Sequence, residues 1–185
     1  MHRSIAVSNR FVAEGIAGQA ATQRAARALA EGAIELGVPV AFTNNVTESL
    51  QSLEVIAPAG TQLADIPGFR PLGRAGWIQY IPNSVAIRVH EAGTPILGGP
   101  VEWPDPRQTD RFMGIPVLRL NAFLETEITR ALNSGNRDHE DNAIAAILSA
   151  GATLDRALEL HPYVADRYQD LWEQARAGQL WPAVA

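Results

Sequence analysis

The sequence predicts an α+β fold: a small mixed sheet flanked by an N-terminal helix and a C-terminal run of helices. Three observations predict it. An alanine-rich stretch near the N-terminus repeats its apolar residues at helical spacing. The middle of the chain holds short apolar runs broken by proline and glycine. From Asn121 onward the apolar residues switch from strand spacing to helical spacing.

In chain order, Ala25, Ala28, Leu29, Ala33 and Leu36 predict a helix over 19–36, with Gly37 as its C-cap glycine. Gly32 should weaken that helix by roughly 1 kcal/mol relative to alanine. Strands are expected at 38–43 and 52–57, with one or two helical turns at 46–51 between them. Pro58, Gly60, Pro67, Gly68, Pro71 and Gly73 then punctuate the chain. Residues 77–81 and 85–89 read as antiparallel strands across the turn Pro82-Asn83-Ser84. Gly93 to Thr109 holds too many breakers for a regular element. A strand returns at 115–120, and Pro116 should push it to a sheet edge.

Asn121 is a good N-cap for a helix marked by Leu124, Ile128, Ala131 and Leu132. Ile144, Ile147 and Leu148 mark a second helix, and Leu154, Ala157 and Leu158 a short third. Val164, Tyr168, Leu171, Trp172 and Ala175 mark a fourth, with Pro162 in its first turn and Gly178 past its end. These helices should pack on one face or end of the sheet. The expectation is one domain overall, with 1–120 as α/β core and 121–185 as its helical part.

Composition sets the outer limits. Of 185 residues, 46% are apolar and 19% charged, which lies within the globular range and outside the disordered one. The absence of cysteine excludes a disulfide scaffold, a thiolate zinc site and a cysteine nucleophile. All fifteen bases are arginine, which excludes a Schiff-base lysine and a Walker-type lysine. Residues 1–98 balance seven acids with seven arginines, whereas 99–185 carry thirteen acids and eight arginines, so the net charge of -5 lies in the second half. No basic stripe marks a nucleic-acid binder. No window is long and apolar enough to span a membrane. Ser8, Asn9, Arg10 and Glu14 make the N-terminus a poor signal peptide. The expectation is a soluble cytoplasmic protein.

Few residues carry obvious chemistry. Arg137-Asp138-His139-Glu140-Asp141 could ligate a metal, but a helix start with Asp138 as cap explains it better. No histidine pair has zincin spacing, and no P-loop, dinucleotide fingerprint or nucleophile elbow is present. His161, before a proline, belongs at the start of a helix. His90-Glu91 could form an acid–base pair but reads better as a polar strand end. Trp172 has core spacing, and Trp103 in the long loop is the best candidate for a contact surface.

Two segments together resemble the nucleotidyltransferase-like superfamily, in particular small stand-alone bacterial members related to abortive-infection nucleotidyltransferases. Gly114-Ile115-Pro116-Val117-Leu118-Arg119-Leu120 looks like the family's last strand. Leu120-Asn121-Ala122-Phe123-Leu124-Glu125-Thr126-Glu127 looks like its following helix, and Gly135-Asn136-Arg137-Asp138-His139-Glu140-Asp141 like its glycine turn and charged helix start. Earlier, Gly37-Val38-Pro39 runs into Ala41-Phe42-Thr43 as a first strand should. Asn44-Asn45-Val46-Thr47-Glu48-Ser49-Leu50 stands at the family's glycine-pair motif, and Ser52-Leu53-Glu54-Val55-Ile56 at its paired acids. The resemblance spans roughly residues 20–150 and rests on order and spacing.

The resemblance implies paired carboxylates holding divalent metal for nucleotidyl transfer. This chain departs from that pattern at five points. Asn44 and Asn45 replace the glycines, and Ser52 replaces one acid, leaving Glu54. Ala86 or Arg88 stands where a third acid belongs. The linker between the motifs shrinks to Gln51. Glu127 replaces the helix lysine. The expectation is a catalytically degenerate, regulatory or antitoxin-like protein that binds a protein partner, a nucleotide or another copy of itself. Its candidate binding residues are Asn44, Asn45, Glu54, Arg88 and Glu127. Ser52 and Glu54 are vestigial catalytic positions, and no metal or cofactor is expected. An active enzyme would need magnesium, held by Glu54 with Glu48 or the Asp138–Asp141 cluster. A third reading is a nucleic-acid accessory protein using Arg70, Arg74, Arg88 and Arg107, against which the acidic net charge argues.

Overall fold

The computed structural model describes residues 20–43, 52–112 and 114–180, and the fold is α+β, as the sequence predicts. The chain divides into two compact units. One runs to Thr94 and adds Trp103–Arg119; the other combines Pro95–Glu102 with the chain from Leu120 onward.

The first unit holds helix α1 (Ala20–Glu35) and strands β1 (Ala41–Phe42), β2 (Ser52–Ala57), β3 (Phe69–Pro71), β4 (Trp77–Tyr80), β5 (Val85–Glu91), β6 (Thr109–Phe112) and β7 (Ile115–Leu118). The described residues build a seven-stranded sheet in the order β3-β4-β5-β2-β1-β7-β6. β2 with β5 and β1 with β7 are parallel; the other neighbours are antiparallel. Leu53, Val55, Ile78, Val85 and Ile87 are all buried. At strand spacing they build one apolar side of the sheet.

α1 packs against β2, β5 and β7 with Ala25, Ala26, Leu29, Ala30 and Ala33 fully or almost fully buried. The small residues allow close approach. Gly32 is the tightest point, because a Cβ there would lie 2.2 Å from Ile66 Cγ2. The glycine that weakens the helix locally is therefore what lets Ile66 pack on it. Leu36, expected on the buried stripe, is 50% exposed because the helix ends before it, at Glu35.

Several expectations need correction. The strand expected over 38–43 is the two residues of β1, and 85–89 lengthens to Glu91. β3 arises in a stretch punctuated by prolines and glycines, and β6 runs from Thr109, the end of the expected loop, through residues 110–112, for which the sequence predicts no element. β7 stops at Leu118, and it is not an edge: β6 covers its outer side and Pro116 pairs with Arg111. Proline is tolerated there because β1 reaches β7 only at Phe42↔Val117, so that short contact asks little of Pro116. The turns expected over 46–51 lie outside the described residues.

The second unit holds α2 (Leu120–Ser134), α3 (Arg137–Ala150), a 3-10 segment Leu154–Glu159 and α4 (Pro162–Leu180). α2 starts at Leu120, so Asn121 is inside the helix; its Nδ2 donates to Glu159 Oε2 at 3.0 Å. α3 is capped by Asn136 rather than Asp138, because Asn136 Oδ1 accepts the Asp138 N–H at 3.0 Å. His161 does mark a helix start: its Nδ1 accepts the Tyr163 N–H at 3.1 Å. α4 buries Val164, Tyr168, Leu171 and Ala175 and runs on through Gly178 to Leu180. Trp172 is only half-buried; its Nε1–H donates to Ala152 O at 2.9 Å. Leu158 is 88% exposed, because the 3-10 segment turns it away from Ala157.

Candidate functional site

The parallel pairing of β2 with β5 sets the geometry of the site. It puts Ser52 beside Ala86, Glu54 beside Arg88 and Ile56 beside His90. In-register neighbours in a sheet share a face, as do residues two apart on one strand. Glu54, Arg88 and His90 therefore lie on one side of the sheet, opposite the face that carries Leu53, Val55 and Ile87. Only the backbone of Ser52 falls within the described residues, and Asn44, Asn45 and Glu48 fall outside them.

His90 Nε2 lies 3.5 Å from Glu54 Oε2, with the side chains 7% and 14% exposed. The Trp103 indole stacks on the imidazole at 3.7 Å between ring centroids, 20° from parallel. Trp103 is 7% exposed, which corrects its reading as a contact surface. The indole is held by the neck of the loop, where Gly93 N–H donates to Trp103 O and Trp103 N–H to Thr94 O, each at 2.9 Å. His90 thus has a carboxylate 3.5 Å from its Nε2 and an indole stacked on one ring face. Glu91 is exposed and ends β5, so His90-Glu91 is the polar strand end that the sequence predicts.

The same sheet face gathers arginines. Trp77 pairs with Arg88 across β4 and β5, and the Arg74 guanidinium lies 3.7 Å over the Trp77 ring. Arg70 pairs with Gln79, whose Oε1 accepts from Arg70 Nε at 3.0 Å and from its Nη2 at 2.7 Å. Arg88 and Trp77 are half-buried, and Arg70 and Arg74 are exposed. Among the described residues, the face is therefore a cationic and aromatic strip with the Glu54 carboxylate beside it. Such a strip can take an anionic group through guanidinium hydrogen bonds.

Glu127 lies in the second unit, 1% exposed. Its Oε2 accepts from Asn142 Nδ2 at 2.9 Å and from His139 Nδ1 at 3.0 Å, and its Oε1 from Arg130 Nη1 at 3.2 Å. Burying a carboxylate is costly unless it is paired and hydrogen-bonded in this way. His139 comes from the charged run 137–141, so that run serves α2–α3 packing as well as the helix start. Glu140 of the same run accepts from Arg167 on α4, which raises the Arg167 pKa, the hydrogen bond with Glu140 being the largest cause. Among the described residues, no three His, Asp or Glu side chains are grouped to hold a metal ion.

Residue types alone do not reveal the Glu54–His90–Trp103 stack, whose members lie on separate elements. The usable signal was the strand alternation of Arg88 and His90, which puts both on Glu54's side once β2 and β5 pair. No protein-family model matches the chain, and neither a curated protein nor a solved structure is significantly similar to it.

Proposed function

We propose that this chain is a catalytically degenerate nucleotidyltransferase-like protein that acts by binding a protein partner or a nucleotide. The observation that carries the reading is the engagement of Glu54 with His90 at 3.5 Å, with Arg88 in register beside it. Magnesium prefers several oxygen ligands. A carboxylate set 3.5 Å from an imidazole and flanked by a guanidinium is a poor start for such a site. The same arginine suits an anion without a metal, since guanidinium binds phosphate oxygens through paired hydrogen bonds. A regulatory or antitoxin-like role follows by family analogy only.

Isothermal titration with each ribonucleoside triphosphate, with and without magnesium, tests the reading. Weak binding that ignores magnesium and falls with Arg88→Ala is expected. Tight magnesium-dependent binding would contradict it.

A second reading, a nucleic-acid accessory protein, draws support from Arg70, Arg74 and Arg88 sharing one sheet face with Trp77. Arg107 is not part of that strip, since it precedes β6. Its signature would be affinity for single-stranded nucleic acid that falls steeply with salt.

A further inference from the structure

A groove runs between the C-terminal half of α1 and the sheet edge at β6. Ile34, Val38, Pro106 and Pro116 give it apolar walls, Arg107 and Arg111 are its charged lining, and its volume is about 120 Å³. A cavity of about 150 Å³ accepts benzene, so this one has room for a single aliphatic side chain. Ile34 is 55% exposed over it.

Three features say what fits. Among the described residues β6 is paired on one side only, by β7, so its other side presents open backbone groups. An extended peptide can add there as a further strand, its alternate side chains entering the adjacent groove. The prolines fix their own backbone, so the walls need little ordering on binding.

The charge is one-sided. Thr109 and Arg111, two apart on β6, share the groove side, while Asp110 lies on the other face, 3.8 Å from Arg119 Nε. No carboxylate lines the groove among the described residues. Among the described residues Arg107 pairs with its exposed neighbour Asp105, at 3.5 Å, and exposed pairs of this kind are weak and exchangeable. A second copy pairing edge to edge about a two-fold axis would bring like arginines together, which is destabilising. An acidic segment would instead complement them.

We propose that this groove and the β6 edge dock an extended segment of a protein partner, with an aliphatic residue for the groove and flanking carboxylates for Arg107 and Arg111. The proposal rests on the reading that the chain acts by binding.

The test selects a displayed library of random heptapeptides on the whole chain. An enriched peptide is then titrated by fluorescence polarisation against wild type, Arg107→Glu/Arg111→Glu and Ile34→Asp. All three substitutions fall on exposed positions, and circular dichroism checks that the variants fold. Enriched peptides should carry an aliphatic residue between acids. Either variant should weaken binding by about tenfold or more, and added salt should weaken it too. Failure to enrich any peptide, enrichment of neutral or basic peptides, or binding that survives both variants would overturn the proposal. So would a wild-type dimer that the arginine reversals dissociate, since the occupant would then be a second copy. Nucleotide titration reads the β2–β5 face separately, so either result can fail without the other.

Discussion

Glu54 on β2 and His90 on β5 meet at 3.5 Å, with Trp103 stacked on the imidazole at 3.7 Å. Glu54 is thus part of a polar contact inside one sheet unit. Glu54→Ala should therefore act as a change of structure and local charge. It should alter Trp103 emission, because an imidazole in stacking contact changes the indole's surroundings. The measurement is Trp fluorescence of Glu54→Ala and His90→Phe against a Trp103→Phe control. Emission unchanged in both variants would count against the stack.

Glu127 is the opposite kind of carboxylate, 1% exposed and holding three donors. Removing it leaves Arg130 and His139 without their shared acceptor. Glu127→Ala should destabilise the chain by about 3–5 kcal/mol, as for other broken buried pairs. Glu127→Gln should cost less, since it keeps an acceptor oxygen. Urea unfolding at neutral pH reads both; equal costs would show that the acceptor oxygen contributes nothing without the charge.

Gly32→Ala should destabilise α1 even though alanine is the better helix former. Relief of about 1 kcal/mol in helix propensity is outweighed by a Cβ placed 2.2 Å from Ile66 Cγ2, a clash of the kind that costs about 1–3 kcal/mol. Shortening the neighbour in Gly32→Ala/Ile66→Ala should recover part of that cost beyond additivity. A double-mutant cycle by thermal or urea unfolding measures it, and simple additivity would mean the two residues do not press on each other.

Alkaline pH should reveal Tyr168. Burial is the largest cause raising its phenol from 10.0 to about 12, with Arg156 lowering and Glu159 raising it. Its O–H donates to Thr153 O at 2.8 Å. The folded value is raised, so this contribution is complete below pH 10 and is lost as pH climbs towards 12. The slope should be about 1.4 kcal/mol per pH unit in that window. The chain has no lysine and only three tyrosines, so few other groups titrate there. Denaturant unfolding from pH 9 to 12 should show the fall, and Tyr168→Phe should flatten it.

Long periodic segments were legible in the sequence, since a helix over 19–36 is observed as Ala20–Glu35 and the buried stripe of α4 matches except at Trp172. Short strands were not: β3 and β6 have three and four residues and owe their form to pairing partners. Asn136 and Asp138 are both good caps, so only the hydrogen bond separates them. At the candidate site, the spacing of Ser52 and Glu54 put both on one strand, but the partner of His90 depended on the β2–β5 register, which local spacing does not encode.

The most direct measurement is nucleotidyl transfer itself. The chain, with magnesium or manganese, is incubated with each of the four radiolabelled ribonucleoside triphosphates, alone and with total tRNA or a candidate partner protein. Losing one preorganised electrostatic donor already costs about 10²–10³ in rate, and loss of a metal site should cost more. No incorporation above background is expected. Label incorporated by the wild-type chain and abolished by Glu54→Ala would show that Glu54 still serves catalysis and that the protein is an enzyme.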